Sequence, residues 1–276
     1  AATVGSLTGV VSGSAAGVTN IVYTLAAGGC NTLFPVTVNA TPANITGTFT
    51  VCAGLTTSLA STTTGGTWSS SNTTIATVSS TGVVTGLIAG TVVISYTMPT
   101  GCFAAASVTV NPTPTPTAAN TGPYCPGSAV NLSATGGGTY SWSGPNAFTS
   151  TLQNPSVGAA TAAMAGVYTV TVTVNGCTAT ATTSVTVNPL PTPTAANTGP
   201  YCPGNTISLS STPAAATYNW SGPNSFSSTL QNPTQGAATT AMSGIYTVTV
   251  TVAGCSPTAT TSVTVNPTPT PTASNT

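Results

Sequence analysis

Two stretches of the chain alternate strictly between valine and threonine, and this alternation most constrains what the chain can fold into. The run YTVTVTV begins at Tyr168 and occurs again from Tyr246. Successive side chains of a β-strand point to opposite faces of a sheet, so the valines share one face and the threonines the other. Val and Thr also favour strands, and helix-forming residues are scarce. The pattern predicts an all-β protein with Val-filled cores and outward-facing Thr.

The chain of 276 residues contains no Lys, Arg, Asp, Glu or His. General acid–base catalysis at neutral pH relies mainly on these side chains, and a Ser or Thr nucleophile would lack a base. Carboxylate and imidazole metal sites cannot form without them. Nucleic-acid affinity comes largely from Lys and Arg, and no apolar run reaches the roughly 18 residues of a membrane helix. We expect no enzyme, no cofactor or metal, no nucleic-acid partner and no membrane insertion.

The sequence repeats itself in two ways. Residues 113–189 and 190–267 share the motifs YCPG, WSGPN, LQNP, YTVTVT, GC and VTVNP, so they are two copies of one domain. Residues 41–112 form a second kind of domain, of which residues 1–40 match the C-terminal part through TGVV, GC and VTVN. Residues 268–276 repeat the start of the next domain. These repeats predict a window from a longer tandem array.

The linkers between domains are rich in proline and threonine. VNPTPTPTAANTGP and VNPLPTPTAANTGP precede the two YCPG motifs. Alternating proline favours polyproline II, which makes a semi-rigid spacer. We expect these linkers to hold the domains apart in a line.

The seven cysteines fall into one pair per predicted domain, with one left over. The predicted disulfides are Cys52–Cys102, Cys125–Cys177 and Cys202–Cys255, and Cys30 is expected to pair with a partner outside the segment. Regular pairing is typical of an oxidising, extracellular or cell-surface setting. The alternative is three pairs of buried free thiols. A metal site is less favoured, because no domain offers more than two ligands.

The motifs AMAGVYTVTV and AMSGIYTVTV resemble the tyrosine corner of immunoglobulin-like sandwiches. The resemblance implies that the hydroxyls of Tyr168 and Tyr246 bind nearby backbone. It also implies that Trp142 and Trp220, in YSWSG and YNWSG, are core tryptophans.

The wider pattern resembles the Ig-like and PKD-like repeats of very large secreted surface proteins of Bacteroidota, including adhesion-associated ones. Residues 113–189 and 190–267 carry this resemblance. Residues 65–97 resemble the bacterial Ig-like group 2 domain through W-S-S-S-N, I-A-T-V, G-x-V-T-G and G-T-V-x-I, with Trp68 as the core tryptophan. The resemblance implies tandem Ig-like β-sandwiches, a fold that commonly serves as a stalk.

The uncharged Thr faces point to a function in assembly. A hydroxyl that finds a partner is far cheaper to bury than a charge, and zero net charge removes long-range repulsion. We expect a structural segment of an extracellular fibre or sheath whose repeats associate with identical repeats, laterally and end to end. The alternative is the stalk of a cell-surface adhesin whose domains or distal tip bind glycans or surfaces. Glycan binding has little support, because each domain has one tryptophan, at a core position.

Overall fold

The computed structural model describes residues 2–6, 8–214 and 216–272. These residues form β-strands joined by turns, with two single-turn 3-10 helices at Ala162–Met164 and Thr240–Met242. Within the described residues, no helix is long and apolar enough to cross a membrane.

The chain divides into two compact units. The first unit comprises residues 1–115 together with residues 173–179, and the second comprises residues 116–172 and 180–276. The short piece 173–179 consists of the end of one strand, a two-residue turn and the start of the next strand, and it belongs to the first unit although its flanking residues belong to the second.

The first unit begins with two antiparallel hairpins. Their strands are β1 (Ala2–Val4), β2 (Val11–Gly13), β3 (Gly17–Thr24) and β4 (Asn31–Val38). β1 pairs with β2, and β3 pairs with β4. Large apolar side chains such as Val18 and Phe34 are exposed here, so these strands are two-stranded pieces and not a closed sandwich.

Residues 41–112 form a two-sheet sandwich. Its strands are β5 (Thr46–Gly47), β6 (Thr50–Cys52), β7 (Thr56–Ala60), β8 (Thr67–Ser70), β9 (Ala76–Val78), β10 (Val83–Gly86), β11 (Gly90–Thr97) and β12 (Phe103–Asn111). One sheet has the order β5-β7-β10-β9, and the other has the order β6-β12-β11-β8. β6 runs parallel to β12, whereas the other pairs are antiparallel. The inward residues of β11, Val92, Ile94 and Tyr96, are buried between the sheets.

The next sandwich is built from the first YCPG repeat. Its strands are β13 (Thr117–Asn120), β14 (Ala129–Thr135), β15 (Thr139–Gly144), β16 (Phe148–Ser150), β17 (Ser156–Ala159), β18 (Gly166–Val174) and β19 (Cys177–Val185). They form sheets of order β13-β14-β17 and β16-β15-β18-β19.

The second YCPG repeat folds in the same way. Its strands are β20 (Thr194–Asn197), β21 (Ile207–Thr212), β22 (Thr217–Gly222), β23 (Phe226–Ser228), β24 (Thr234–Gln235), β25 (Gly244–Thr251) and β26 (Thr258–Val263). The sheet orders are β20-β21-β24 and β23-β22-β25-β26, which match those of the preceding copy strand for strand.

The alternation predicted from the sequence is confirmed in both central strands. In β18, Tyr168, Val170 and Val172 are fully buried, and Tyr246, Val248 and Val250 are fully buried in β25. The intervening threonines of both strands are half-buried, because each strand lies between two neighbours in its sheet. The chain is therefore all-β, with tandem Ig-like sandwiches.

The proline-rich linkers are shorter than the sequence predicted. The TAAN half of each linker forms a strand, β13 or β20, that pairs with β14 or β21. Thr117 Oγ1 lies 2.7 Å from Thr135 Oγ1 across one of these pairs. In a paired strand the backbone forms hydrogen bonds with its neighbour, whereas polyproline II has none. The chain is therefore a strand where a partner strand is available.

Candidate functional site: disulfide-linked hairpin turns

Four of the five aromatic residues predicted to lie in cores are fully buried. They are Trp142, Trp220, Tyr168 and Tyr246. Trp68 is only half-buried, and its ring centroid lies 4.8 Å from that of Tyr96. Trp68 therefore packs against the buried core cluster and is not one of its fully buried members.

Both tyrosine corners are formed. The Tyr168 hydroxyl donates to the carbonyl oxygen of Met164 at 3.0 Å, and the Tyr246 hydroxyl donates to that of Met242 at 3.1 Å. Each ring packs over the glycine of the SGPN motif, where a Cβ on Gly144 would lie 2.4 Å from the Tyr168 ring. The glycine of SGPN is therefore required by this close approach.

The disulfides differ from the predicted ones. The structure joins Cys52 to Cys177 and Cys125 to Cys255, with Cα atoms 5.7 Å and 5.5 Å apart. The predicted pairs Cys52–Cys102, Cys125–Cys177 and Cys202–Cys255 are therefore wrong. The remaining cysteines are free thiols: Cys30, Cys102 and Cys202.

Strand geometry explains why the predicted pairs do not form. Cys102 directly precedes β12, whereas Cys52 lies beside the far end of that strand, opposite Asn111. A strand of nine residues spans about 30 Å, and the Cα atoms of a disulfide lie within about 7 Å. The same separation recurs in the other sandwiches, because Tyr124 pairs with Val187 and Tyr201 with Val265 at the far ends of their last strands.

In the first unit, a disulfide and a hydrogen bond hold the turn between β18 and β19. Asn175 and Gly176 both have positive φ, 49° and 82°, as the two-residue type I′ turn requires. Cys177 follows directly and is buried at its disulfide with Cys52. The Asn111 side-chain amide donates to the carbonyl oxygen of Asn175 at 3.0 Å, and Cys177 Sγ lies 4.0 Å from the Asn111 carbonyl oxygen.

In the second unit, the turn between β25 and β26 is held in the same way. Ala253 and Gly254 have φ of 50° and 84°, and the buried Cys255 is bonded to Cys125. The Asn188 side-chain amide donates to the carbonyl oxygen of Ala253 at 2.7 Å. We call the turns that end in Gly176–Cys177 and Gly254–Cys255 Gly–Cys turns.

Each Gly–Cys turn binds at what we call an acceptor site. One acceptor site consists of Cys52 and Asn111, and the other consists of Cys125 and Asn188. The backbone beside Cys125 is fixed by two hydrogen bonds, from Tyr124 N–H to the Thr186 carbonyl at 2.9 Å and from Asn188 N–H to the Tyr124 carbonyl at 2.8 Å. The spacing of cysteines gave no signal for this pairing, but the Asn of each VTVN motif marks the acceptor site.

These disulfides cross-link one sequence repeat to the next. They join residues 125 and 130 positions apart, and closing a loop of that length stabilises the folded state by about 5 kcal/mol in the chain-entropy model. Cys177 and Cys255 are buried, which shields the bonds from attack by other thiols.

Replacing Ala253 by Asn is expected to stabilise the chain by about 0.5–1 kcal/mol. An alanine at φ of 50° sits in the left-handed region, which costs a residue with a Cβ roughly 1–2 kcal/mol and costs Asn less. The measurement is the denaturant midpoint of unfolding. The matched control, Asn175→Ala, should shift the midpoint in the opposite direction by a similar amount, and equal midpoints for all three chains would contradict the turn assignment.

A second feature is an uncharged polar surface on the outer side of the last sandwich. We call it the hydroxyl face; it comprises Thr217, Asn219, Ser221, Thr247, Thr249, Thr251, Thr258 and Thr260. Cross-strand pairing makes it continuous, because Thr247 lies opposite both Ser221 and Thr260. β26 is the edge strand of this sheet.

Two large apolar side chains are exposed in the last sandwich, and the sequence reasoning missed them. Ile245 is 65% exposed on the outward side of β25, and Leu230 is 64% exposed. The preceding copy exposes Val167 and Leu152 at the equivalent positions. Ile245 directly precedes the buried Tyr246, so the alternation of the strand could have placed the Ile245 side chain on the outward face.

Comparison with known proteins gives a family match for part of the chain. The family model of the bacterial Ig-like domain (group 2) matches residues 32–110. No curated protein sequence matches the chain.

Several solved structures are similar at low identity. The three N-terminal domains of the highly immunogenic outer capsid protein of bacteriophage RB49 share 15% identity, with a TM-score of 0.37 over 83% of this chain and 100% of that one. Murine CEACAM1b shares 16% identity, with a TM-score of 0.35 over 56% of this chain and 100% of that one. The eight N-terminal Ig domains of DSCAM share 13% identity, with a TM-score of 0.39 over 96% of this chain and 43% of that one. The chain consists of tandem Ig-like β-sandwiches, and residues 32–110 match the group 2 bacterial Ig-like domain.

Proposed function

We propose that the chain is a structural segment of an extracellular fibre or sheath. The observation that carries the proposal is the pair of disulfides that cross-link successive sequence repeats through Gly–Cys turns. Such bonds persist in oxidising compartments, which supports a secreted or cell-surface location. A chain that must withstand pulling gains from cross-links that keep neighbouring repeats joined when one of them opens.

The hydroxyl face supports lateral self-association. Exposed strands normally carry Lys or Glu that block edge-to-edge pairing, and this chain has neither. Thr258 and Thr260 are exposed on the edge strand β26. A second copy can approach this surface without desolvating an ion, and the exposed Ile245 adds apolar area to the contact.

Electron microscopy of the purified chain at high concentration tests this function. Laterally packed, ordered filaments are the expected result. Separate, flexibly connected particles that never pack side by side would contradict the fibre proposal and favour the function as a stalk.

Assembly is expected to be insensitive to pH between about 4 and 8 and to salt up to about 1 M. No Lys, Arg, Asp, Glu or His is present to titrate or to be screened. The measurement is the fraction of chain that sediments at each condition. Filaments that dissolve within this range would contradict association through uncharged faces.

Stability is expected to fall only in strong alkali. Burial raises the pKa of Tyr168. Burial also raises the pKa of Tyr246, and the electrostatic effect of the nearby Tyr201 adds to it as a smaller cause. These tyrosines ionise more readily in the unfolded chain, so stability that is present below about pH 10 is lost as the pH rises above it. For Tyr201, burial acts upward, but hydrogen bonds with Thr198, Ser208 and Gly199 outweigh it and lower its pKa, which opposes this loss.

The alternative, a stalk whose domains bind glycans, is favoured by one feature. Trp68 and Tyr96 line an open surface concavity together with Ser61, Thr81 and other uncharged residues. An aromatic side chain at such a place can stack on a sugar ring. Binding of the chain to immobilised glycans that is lost on Trp68→Ala, with no filaments by microscopy, would favour this function over the fibre.

A further inference from the structure

The asparagine of the first acceptor site contacts the backbone on both sides of its disulfide. Asn111 is the strand partner of Cys52, and its carbonyl oxygen accepts from the N–H of Ala53 at 2.9 Å. Its side-chain amide donates to the carbonyl oxygen of Asn175, two residues before Cys177. One residue therefore holds the backbone that carries the first cysteine and binds the turn that carries the second.

Asn188 makes the same two kinds of contact at the other acceptor site. Its backbone N–H donates to the carbonyl oxygen of Tyr124, the residue before Cys125, at 2.8 Å. Its side-chain amide donates to the carbonyl oxygen of Ala253, two residues before Cys255. No sulfur atom takes part in these hydrogen bonds, so they do not require the disulfide to be formed.

The asparagine recognises the backbone of the turn and not a side chain. The residue whose carbonyl oxygen accepts is Asn175 in one turn and Ala253 in the other. What the two turns share is their shape, because these residues have φ of 49° and 50° and the glycines that follow them have φ of 82° and 84°. A side-chain amide that donates to a backbone carbonyl can bind any sequence that forms this turn.

Chain entropy alone favours other disulfides. Cys52 and Cys177 lie 125 residues apart, whereas only 25 residues separate Cys177 from Cys202. Effective concentration on a flexible chain falls roughly as the −3/2 power of the separation, so the distant pair meets about tenfold less often in the unfolded chain. Pairing over 125 residues therefore needs contacts that bring the turn to its acceptor site, and one hydrogen bond is worth roughly two- to tenfold in an equilibrium constant.

We propose that Asn111 and Asn188 are positioning residues that determine which cysteines pair. Each binds the Gly–Cys turn of the following repeat through its side-chain amide before oxidation, and the disulfide then fixes a contact that already exists. The inference rests on these hydrogen bonds and not on the fibre, so it holds equally for a stalk.

Forming each bond requires an oxidant, which a small disulfide such as oxidised glutathione supplies. One cysteine thiolate of the pair attacks a sulfur of oxidised glutathione and releases a glutathione thiolate. The other cysteine thiolate then attacks the protein sulfur of the mixed disulfide and releases the second glutathione. Two protein thiols are oxidised, one small disulfide is reduced to two thiols, and the two protons pass to the released thiolates.

The test is to reduce the whole chain, reoxidise it in a glutathione buffer and identify every disulfide by mass spectrometry of peptic peptides. Asn111→Ala is expected to lower the equilibrium constant for the Cys52–Cys177 bond about fivefold, with mispaired linkages such as Cys177–Cys202 taking its place. The Cys125–Cys255 bond should form as in the parent chain.

Asn188→Ala is the matched variant, and it should weaken the Cys125–Cys255 bond while leaving Cys52–Cys177 unchanged. Each variant is the control for the other, because a general loss of stability would lower both bonds together. An unchanged share of Cys52–Cys177 in Asn111→Ala, or an equal fall of both bonds in either variant, would overturn the proposal.

Asn111→Asp tests the donor itself on the oxidised chain. At about pH 3 the introduced carboxyl group is largely protonated and can donate to the Asn175 carbonyl oxygen, whereas at pH 7 it is ionised and cannot. Folding should raise the pKa of this group, so the stability that it contributes at low pH is lost as the pH rises through that pKa. The denaturant midpoint should therefore be higher at pH 3 than at pH 7.

The parent chain and Asn111→Ala provide the baseline, because their side chains contain no group that titrates between these pH values. Their midpoints should differ little between pH 3 and pH 7. A midpoint of Asn111→Asp that is as insensitive to pH as theirs would contradict the role of the Asn111 amide as the donor that binds the turn.

Discussion

Trypsin is expected to cut a Pro114→Arg variant once and to leave the two halves joined until a reductant is added. The chain contains no Lys or Arg, so the introduced arginine provides the single cleavage site. Pro114 lies in a stretch outside the strands, and the next residue, Thr115, permits cleavage. After the cut, Cys52 lies on one fragment and Cys177 on the other, and their disulfide holds the fragments together. Denaturing electrophoresis with and without reductant reads the result.

Pro191→Arg is the matched variant in the following repeat. Cleavage after this position leaves Cys125 and Cys255 on different fragments, so these halves are also expected to stay joined without reductant. Adding Cys177→Ser should release the halves of the Pro114→Arg chain and leave those of the Pro191→Arg chain joined. Release of the halves in the parent variants without reductant would contradict the disulfides between successive repeats.

The fold was predictable because its signals are local. The Val–Thr alternation specifies which side of each strand is buried, and the structure buries Tyr168, Val170 and Val172 accordingly. The tyrosine corner was recognisable because the glycine, the tyrosine and the Met164 carbonyl that accepts from it lie within a few residues of one another.

The disulfide pairing was not predictable from spacing. Each of the three repeats within residues 41–267 has one Cys near its start and one at the turn before its last strand, so pairing within a repeat and pairing with the next repeat give equally regular spacings. The deciding feature is the parallel pairing of β6 with the end of β12, which places Cys52 beside Asn111 and away from Cys102. The residues next to Cys52 in the sequence do not indicate that contact, because β6 and β12 are distant in sequence.

The candidate surfaces were predicted in part. The uncharged threonine side of the strands follows from the alternation, but a threonine on β25 is only half-buried whereas one on the edge strand β26 is exposed. That difference depends on strand order, which the sequence pattern leaves open. The exposed Leu230 lies in a loop, where no periodicity indicates which way a side chain points.

Placing charge on the hydroxyl face is expected to abolish lateral assembly while leaving the sandwich folded. Thr258→Lys combined with Thr260→Lys puts two charges on exposed positions of the edge strand β26. In the isolated chain these side chains reach water, so stability should change by less than about 0.5 kcal/mol per substitution. In a lateral contact each ammonium would be desolvated against an uncharged partner, at a cost of several kcal/mol.

The measurement combines sedimentation, electron microscopy and denaturant unfolding on the same samples. Thr258→Ser with Thr260→Ser is the matched control, since it keeps both hydroxyls and should assemble like the parent chain. High salt should restore assembly of the lysine variant only in part. Salt screens the repulsion between charges, but it does not offset the free-energy cost of desolvating them. A lysine variant that forms normal filaments would show that β26 is not the contact, and the exposed Ile245 and Leu230 would then be the next positions to charge.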